Sequence, residues 1–161
     1  MRRPRVLPEL EGRPIQVVLS PQGSQWAASS IPRRIIYLDP EVLVQRGEFE
    51  RILIHEIFHF AWVRLSNQAR WDWEAVLRAE IEACAVGELG WSAERRKLKL
   101  TRAQMRSRGS MWRIYACESF CDTGAWMYSG LRKHEEFTLH RRAAWRRQRW
   151  FEKAFSGAIR I

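Results

Sequence analysis

Up to about residue 40 the chain alternates short β-branched runs with turn residues; beyond it, apolar positions recur at helical spacing. Residues 15–19 form one such run, closed by Ser20-Pro21-Gln22-Gly23-Ser24, and read as a strand and its turn. Residues 31–38 read as a second strand ending at Asp39-Pro40. Pro32, Arg33 and Arg34 near its start place it at a sheet edge, where a missing N–H and outward charge are tolerated. From residue 41 the pattern predicts a short helix over 41–45, broken at Gly47, then a long one over 49–65. A third runs from a cap at Asp72 to about Glu88, where Gly87 and Gly90 stop it. Ser92 starts a charged turn, and Thr101 with Gln104 forms a capping box for a short helix. Ser110 precedes a helix over 111–129, ended by Gly130. The last helix, 135–155, carries Phe137, His140, Ala144, Phe151 and Phe155 as an apolar stripe opposite a strongly basic face. The sum is an α+β fold, a small N-terminal β-sheet with an edge strand followed by a mainly helical body. With no internal repeat or low-complexity linker, one domain over 1–161 is expected.

Composition narrows the class. Hydrophobic residues at 46% and charged residues at 29% exclude collagen-like, mucin-like and disordered chains. No apolar run reaches the roughly 18 residues of a membrane span, so no membrane role is expected. Twenty-eight Lys and Arg against eighteen Asp and Glu give +10, which favours an acidic partner, an acidic substrate or nucleic acid. The start, Met1-Arg2-Arg3-Pro4-Arg5, lacks the apolar stretch of a secretory signal. Cys84, Cys117 and Cys121 are an odd set, so reduced thiols and a cytoplasmic location are expected. The nine tryptophans suit core and groove packing.

The chemistry concentrates in residues 52–63, Ile-Leu-Ile-His-Glu-Ile-Phe-His-Phe-Ala-Trp-Val. Apart from His55, Glu56 and His59 the segment is apolar on every side, which predicts an interior helix. Polar groups there are costly unless something satisfies them. Residues four apart share a helix face, so His55 and His59 are placed to hold one metal ion together. Glu56, next to His55, reaches a water on that metal without ligating it, the His-Glu-x-x-His arrangement of zinc proteases.

A catalytic zinc needs a third protein ligand and an open position. Downstream candidates are Glu74, Glu80, Glu82, Glu88, Glu118, His134 and His140. Residues 115–126 are mostly apolar and small, yet hold Glu118 and Asp122 four apart on one face. Such a buried carboxylate pair calls for a cation. With Glu118 on zinc, Asp122 accepts the free ring N–H of a zinc-bound histidine and fixes its tautomer. Cys117 and Cys121 flank Glu118 and read as small residues at a close helix contact.

On these residues the chain resembles the gluzincins, thermolysin-like zinc metallopeptidases in which a His-Glu-x-x-His helix is followed by a glutamate helix. There a ligand Glu has an Asp four residues later. The resemblance covers about a third of the chain. It implies a zincin-like fold, Zn²⁺ as cofactor, and hydrolysis of a peptide or protein substrate. His55, His59 and Glu118 would be ligands, Glu56 the general base and Asp122 the partner of a ligand histidine. It also implies a Tyr or His that stabilises the transition state, for which Tyr115, Tyr128, His134 and His140 are the candidates. Cys117 stands where that family places Asn, and Glu118 follows His59 by 59 residues, more than is usual there. Glu80, 21 residues past His59, is nearer the family's spacing but is followed after four by Cys84. The SprT-like proteins, with a His third ligand and a link to DNA, are the neighbouring resemblance. The Arg- and Trp-rich segment 140–150 keeps open the alternative of a basic, nucleic-acid-associated protein whose metal is structural or vestigial.

Overall fold

Short β-branched runs with turn residues between them do form strands, and the helical pattern does form helices, but several boundaries and one strand order differ from expectation. The structure is a computed structural model describing residues 5–45 and 47–161. The basic start at 1–4 and Arg46 lie outside the described residues. The fold is α+β. Strands β1 (Leu10–Glu11), β2 (Gln16–Leu19), β3 (Ala27–Ser30) and β4 (Ile35–Leu38) come first, followed by a 3-10 turn at Pro40–Leu43. Helices α1 (Glu48–Arg64), α2 (Asn67–Glu82), α3 (Trp91–Lys97), α4 (Arg102–Ser107), α5 (Ser110–Tyr128) and α6 (Arg141–Ala154) follow, and β5 (Ile159–Arg160) closes the chain against β1.

The predicted edge strand at 31–38 is corrected. Residues 31–34 are a turn in which the Arg34 N–H donates to the Ile31 carbonyl at 3.2 Å, with Pro32 at the position where its fixed φ is favoured. Only Ile35–Leu38 is extended, and it is the central strand of the order β2-β4-β3, parallel to β2 and antiparallel to β3. The edges are β2 and β3, and the Ala-Ala-Ser-Ser sequence of β3 has almost no strand preference and is held by its hairpin to β4. Three helix boundaries are corrected as well. Ser66, not Asp72, caps α2 by accepting from the Ala69 N–H at 3.1 Å, and α2 stops at Glu82. Trp91–Lys97 is a helix rather than a turn. The last helix begins at Arg141, with His140 as its N-cap, so Phe137 and His140 are not on its stripe. The Thr101–Gln104 capping box forms with both of its bonds.

Helix α1 is sandwiched, which is why its sequence is apolar nearly all round. One side packs Ile52 and Phe60 against Ile36, Leu38 and Val42. The other packs Ile54, Phe58 and Ala61 against α5 and α6 through Phe120, Ala125 and Phe151. Each fully buried ring of this kind contributes about 1.5–3 kcal/mol. Gly124 sets the α1–α5 spacing: a Cβ there would lie 2.6 Å from the Phe58 ring. The tryptophans divide, Trp73 and Trp112 fully buried but Trp26, Trp71, Trp91 and Trp145 substantially exposed. Among the described residues no helix is long and apolar enough to cross a membrane.

Between α2, α5 and α6 lies a buried ion network. Arg147 of α6 is fully buried and donates to Glu80 at 2.7 Å and Glu88 at 2.7 Å, while the Tyr115 hydroxyl donates to Glu88 at 2.6 Å. Both oxygens of Glu80 are taken by the Arg147 guanidinium, which answers the alternative of Glu80 as a metal ligand: its carboxylate points into this network. Arg147 also leaves the basic face that the sequence pattern assigns to α6.

Candidate metal centre

The close approach of α1 and α5 brings the polar residues of both helices to one place. His55, Glu56 and His59 of α1 face Cys117, Glu118 and Asp122 of α5 at the floor of a cleft of about 840 Å³. Asp122 Oδ1 lies 2.7 Å from His55 Nδ1. A carboxylate oxygen accepts, so that nitrogen carries a hydrogen, and Nε2 is the ring atom turned towards His59 and Glu118. Cys117 Sγ lies 3.6 Å from His59 Nδ1, which orients the second ring in the same sense. The two Nε2 atoms converge, 3.2 Å apart. Glu118 Oε2 lies 3.4 Å from His55 Nε2. Donors bound to one tetrahedral zinc at about 2.0–2.1 Å stand about 3.3–3.4 Å from each other. Both separations, each measured from His55, fit, while the donors here that all lie within 4.8 Å of one another are those of His55, His59 and Cys121.

The electrostatics fit too. Burial works against charge on His55, but Asp122, Glu118 and Glu56 around it raise its pKa well above the ordinary imidazole range. His59 is raised against burial by Cys117 and Glu56. A pocket that favours added positive charge on both rings is a pocket suited to a cation. Glu118, pushed up by burial, is nonetheless held down to about 2 by His55, His59 and Ser92, so an ionised oxygen donor is available. Cys121 Sγ also lies near the two ring nitrogens. Burial pushes that thiol well above its usual value, as do Cys117, Glu118 and Asp122, but a metal deprotonates a thiol that coordinates it, so Cys121 stands beside Glu118 as a candidate third ligand. Without metal its hydrogen goes to Cys117, whose thiol is held down to about 6, first by that bond and then, against burial, by His59. Cys117 thus occupies a ring-orienting position beside His59.

Asp122 has a second task. Its Oδ2 accepts from the Ala93 N–H at 2.9 Å in the first turn of α3, fastening that helix to the His55 side of the cleft. A Cβ on Gly90 would overlap the Asp122 carboxyl, so this N-cap position excludes any side chain. Glu56 is not among the converging donors. It sits beside them, and the Ser29 hydroxyl of β3 donates to its Oε2.

The four candidates for transition-state stabilisation are elsewhere. Tyr115 is in the Arg147 network, and Tyr128 is buried, its ring 5.8 Å from that of Phe58. His140 caps α6 in an exposed position. His134 donates to Glu48 at 2.6 Å and its Nδ1 accepts from the Glu136 N–H at 3.3 Å. Glu48, His134 and Glu136 do cluster as metal ligands can, but the Arg51 guanidinium already bridges both carboxylates, at 2.5 Å and 2.9 Å. Among the groups that do line the cleft with the histidines are Ser29, Ser92, Arg95 and Arg96. Sequence reasoning did not assign them to the site: Ser92 read as the start of a charged turn and Arg95 with Arg96 as part of a basic cluster, while Ser29 carries no motif.

Comparison of the chain with protein-family models, with curated proteins and with solved structures finds no match in any of the three.

Proposed function

We propose that this chain is a zinc-dependent peptidase of gluzincin type, with zinc held by His55, His59 and Glu118 and Glu56 as general base. The reading is carried by two imidazole Nε2 atoms that converge 3.2 Å apart, with an ionised carboxylate 3.4 Å from that of His55 and a second carboxylate alongside. Zinc held there supplies Lewis acidity, which brings the pKa of a water towards about 7 and polarises a scissile carbonyl. Glu56 takes the proton of the attacking water and returns it to the leaving amine, and the Ser29 hydroxyl holds its carboxylate in place. Asp122 and Cys117 keep both ring tautomers correct. Strand β3 pairs on one side only, with β4. Its other edge borders the cleft and offers backbone N–H and C=O groups to an extended peptide, which binds by strand addition.

The test uses an unstructured protein such as casein. The zinc-loaded chain should cleave it, a chelator should stop cleavage and added zinc should restore it. Failure of a chain carrying one zinc to cleave any unstructured peptide would remove the reading.

A second reading rests on α6. Arg141, Arg142, Arg146 and Arg149 are exposed, and none has a carboxylate partner among the described residues. Trp145, 55% exposed, lies 5.0 Å from the Arg149 guanidinium. We propose nucleic acid as the acidic partner of this face, in a protein whose metal is structural. Binding to single-stranded DNA that weakens steeply with salt and survives chelation would favour it; binding unaffected by Arg142→Glu with Arg146→Glu would dismiss it.

A further inference from the structure

We propose that Arg95 and Arg96 of α3 form a carboxylate-binding subsite beside the metal centre, so that the preferred substrate is a peptide bearing an acidic group next to the scissile bond. The inference rests on the peptide-binding reading of the cleft and adds the chemistry that selects the peptide. Helix α3 forms a wall of the cleft, and residues one turn apart face it in two pairs, Trp91 with Arg95 and Ser92 with Arg96. The wall is fixed rather than adaptable. Its first turn is tied by the Trp91 N–H to Glu136 at 2.8 Å and by the Ala93 N–H to Asp122 at 2.9 Å, the same Asp122 that holds His55. The position of α3 is therefore set relative to the metal ligands.

The charges on this wall are uneven. Arg96 uses Nη1 on the Ser92 carbonyl at 2.8 Å and the Ser92 hydroxyl at 3.1 Å, with Nη2 3.6 Å from Glu118 Oε1. That places a cation at the edge of the metal centre. Arg95 is exposed; its Nε reaches the Trp91 carbonyl at 3.3 Å, and neither terminal nitrogen has a carboxylate partner among the described residues. The cleft's other acids are engaged: Glu48 and Glu136 by Arg51, Asp122 by His55 and α3, Glu118 by Ser92 and His55. Glu135, which is exposed, also lines the cleft, next in sequence to the Glu136 that holds the α3 N-terminus. The β3 wall, Trp26 to Ser29, carries no charge. A peptide laid along β3 turns alternate side chains towards α3, where they meet one free guanidinium and a second already placed. A carboxylate is the group that accepts paired, charge-assisted N–H bonds from such a site. It can come from an Asp or Glu side chain or from a free C-terminus.

The experiment measures binding separately from turnover. Zinc-loaded Glu56→Gln protein is titrated into fluorescent peptides of one sequence, bearing Glu or Gln next to the central bond and a C-terminal carboxylate or amide, with anisotropy as the readout. The subsite predicts about tenfold tighter binding of an acid-bearing peptide than of its neutral twin, and loss of that ratio in Arg95→Gln. A ratio that follows the side chain in the amidated peptides identifies an internal acid; one that appears only with the free terminus identifies the C-terminal carboxylate. Equal binding of acidic and neutral peptides, or a preference that survives Arg95→Gln, overturns the proposal. Arg95-dependent acid binding by a wild-type chain that cleaves nothing would instead sink the peptidase reading and leave the subsite standing.

Discussion

Glu56→Gln is expected to leave one zinc bound per chain and to lower peptide hydrolysis by about 10²–10⁴-fold. The two side chains have nearly the same shape, and the Gln carbonyl accepts the Ser29 hydroxyl as the carboxylate does, so the floor of the cleft is preserved. What the amide cannot do is take a proton from water and pass it on. The defect should appear in kcat with little change in KM, because Glu56 lies beside the donors without joining them. Elemental analysis and steady-state kinetics on the same preparation check both halves. Unchanged turnover would remove the general-base assignment, and loss of zinc would place Glu56 among the ligands.

Arg147→Met should be the most destabilising single change outside the cleft, costing about 3–5 kcal/mol. It leaves Glu80 and Glu88 buried with the Lys97 ammonium, 3.3 Å from Glu88, as the nearest remaining cation. At about 2–4 °C per kcal/mol for a chain of this size, the melting temperature should fall by roughly 10 °C. The pH dependence has a definite sign. In the native protein burial pushes Glu88 up, but Arg147 and Lys97 hold it below its ordinary value, so its contribution is present above pH 4.5 and lost as pH falls. Burial keeps Glu80, by contrast, above its ordinary value despite Arg147, which costs stability as pH rises. Without Arg147 the folded-state pKa of both acids rises, so the variant loses stability as pH climbs above 4.5. Wild type and variant should therefore draw together in acid and separate at neutral pH. Thermal melts from pH 4 to 8 measure this, and a constant gap would mean that the network holds no net ionic stabilisation. Adding Glu80→Gln and Glu88→Gln to the variant should recover part of the loss, since a neutral amide costs less to bury than an unpaired carboxylate.

Sequence alone disclosed the parts of the site carried by helical periodicity. His55, Glu56 and His59 stand out because three polar residues interrupt an apolar helix, and Glu118 with Asp122 because two acids share a face among small residues. The structure brings these two sets together across α1 and α5. Elements stabilised by partners rather than by their own residues were not legible. Strand β3, Ala-Ala-Ser-Ser, is extended because β4 pairs with it. The two-residue β1 and β5 exist through each other, from opposite ends of the chain. Arg147 looked like one more surface charge in a basic run, since nothing local announces that Glu80 and Glu88 meet it 67 and 59 residues away. The tyrosines and histidines considered for transition-state stabilisation were chosen by type, and tertiary structure assigned them to packing, capping and ion networks instead. Arg95 and Arg96 were visible as charge, but their place in the cleft depends on α3 being fastened by Asp122 and Glu136.

X-ray absorption at the zinc edge, on protein loaded with one equivalent of zinc, tests the metal centre most directly. Two imidazoles and a carboxylate predict nitrogen and oxygen scatterers at about 2.0–2.2 Å, with outer-shell imidazole features and no sulfur. A scatterer at about 2.3 Å would put Cys121 or Cys117 on the metal in place of Glu118, and a chain that takes up no zinc would leave the converging nitrogens of His55 and His59 without the ion that explains them.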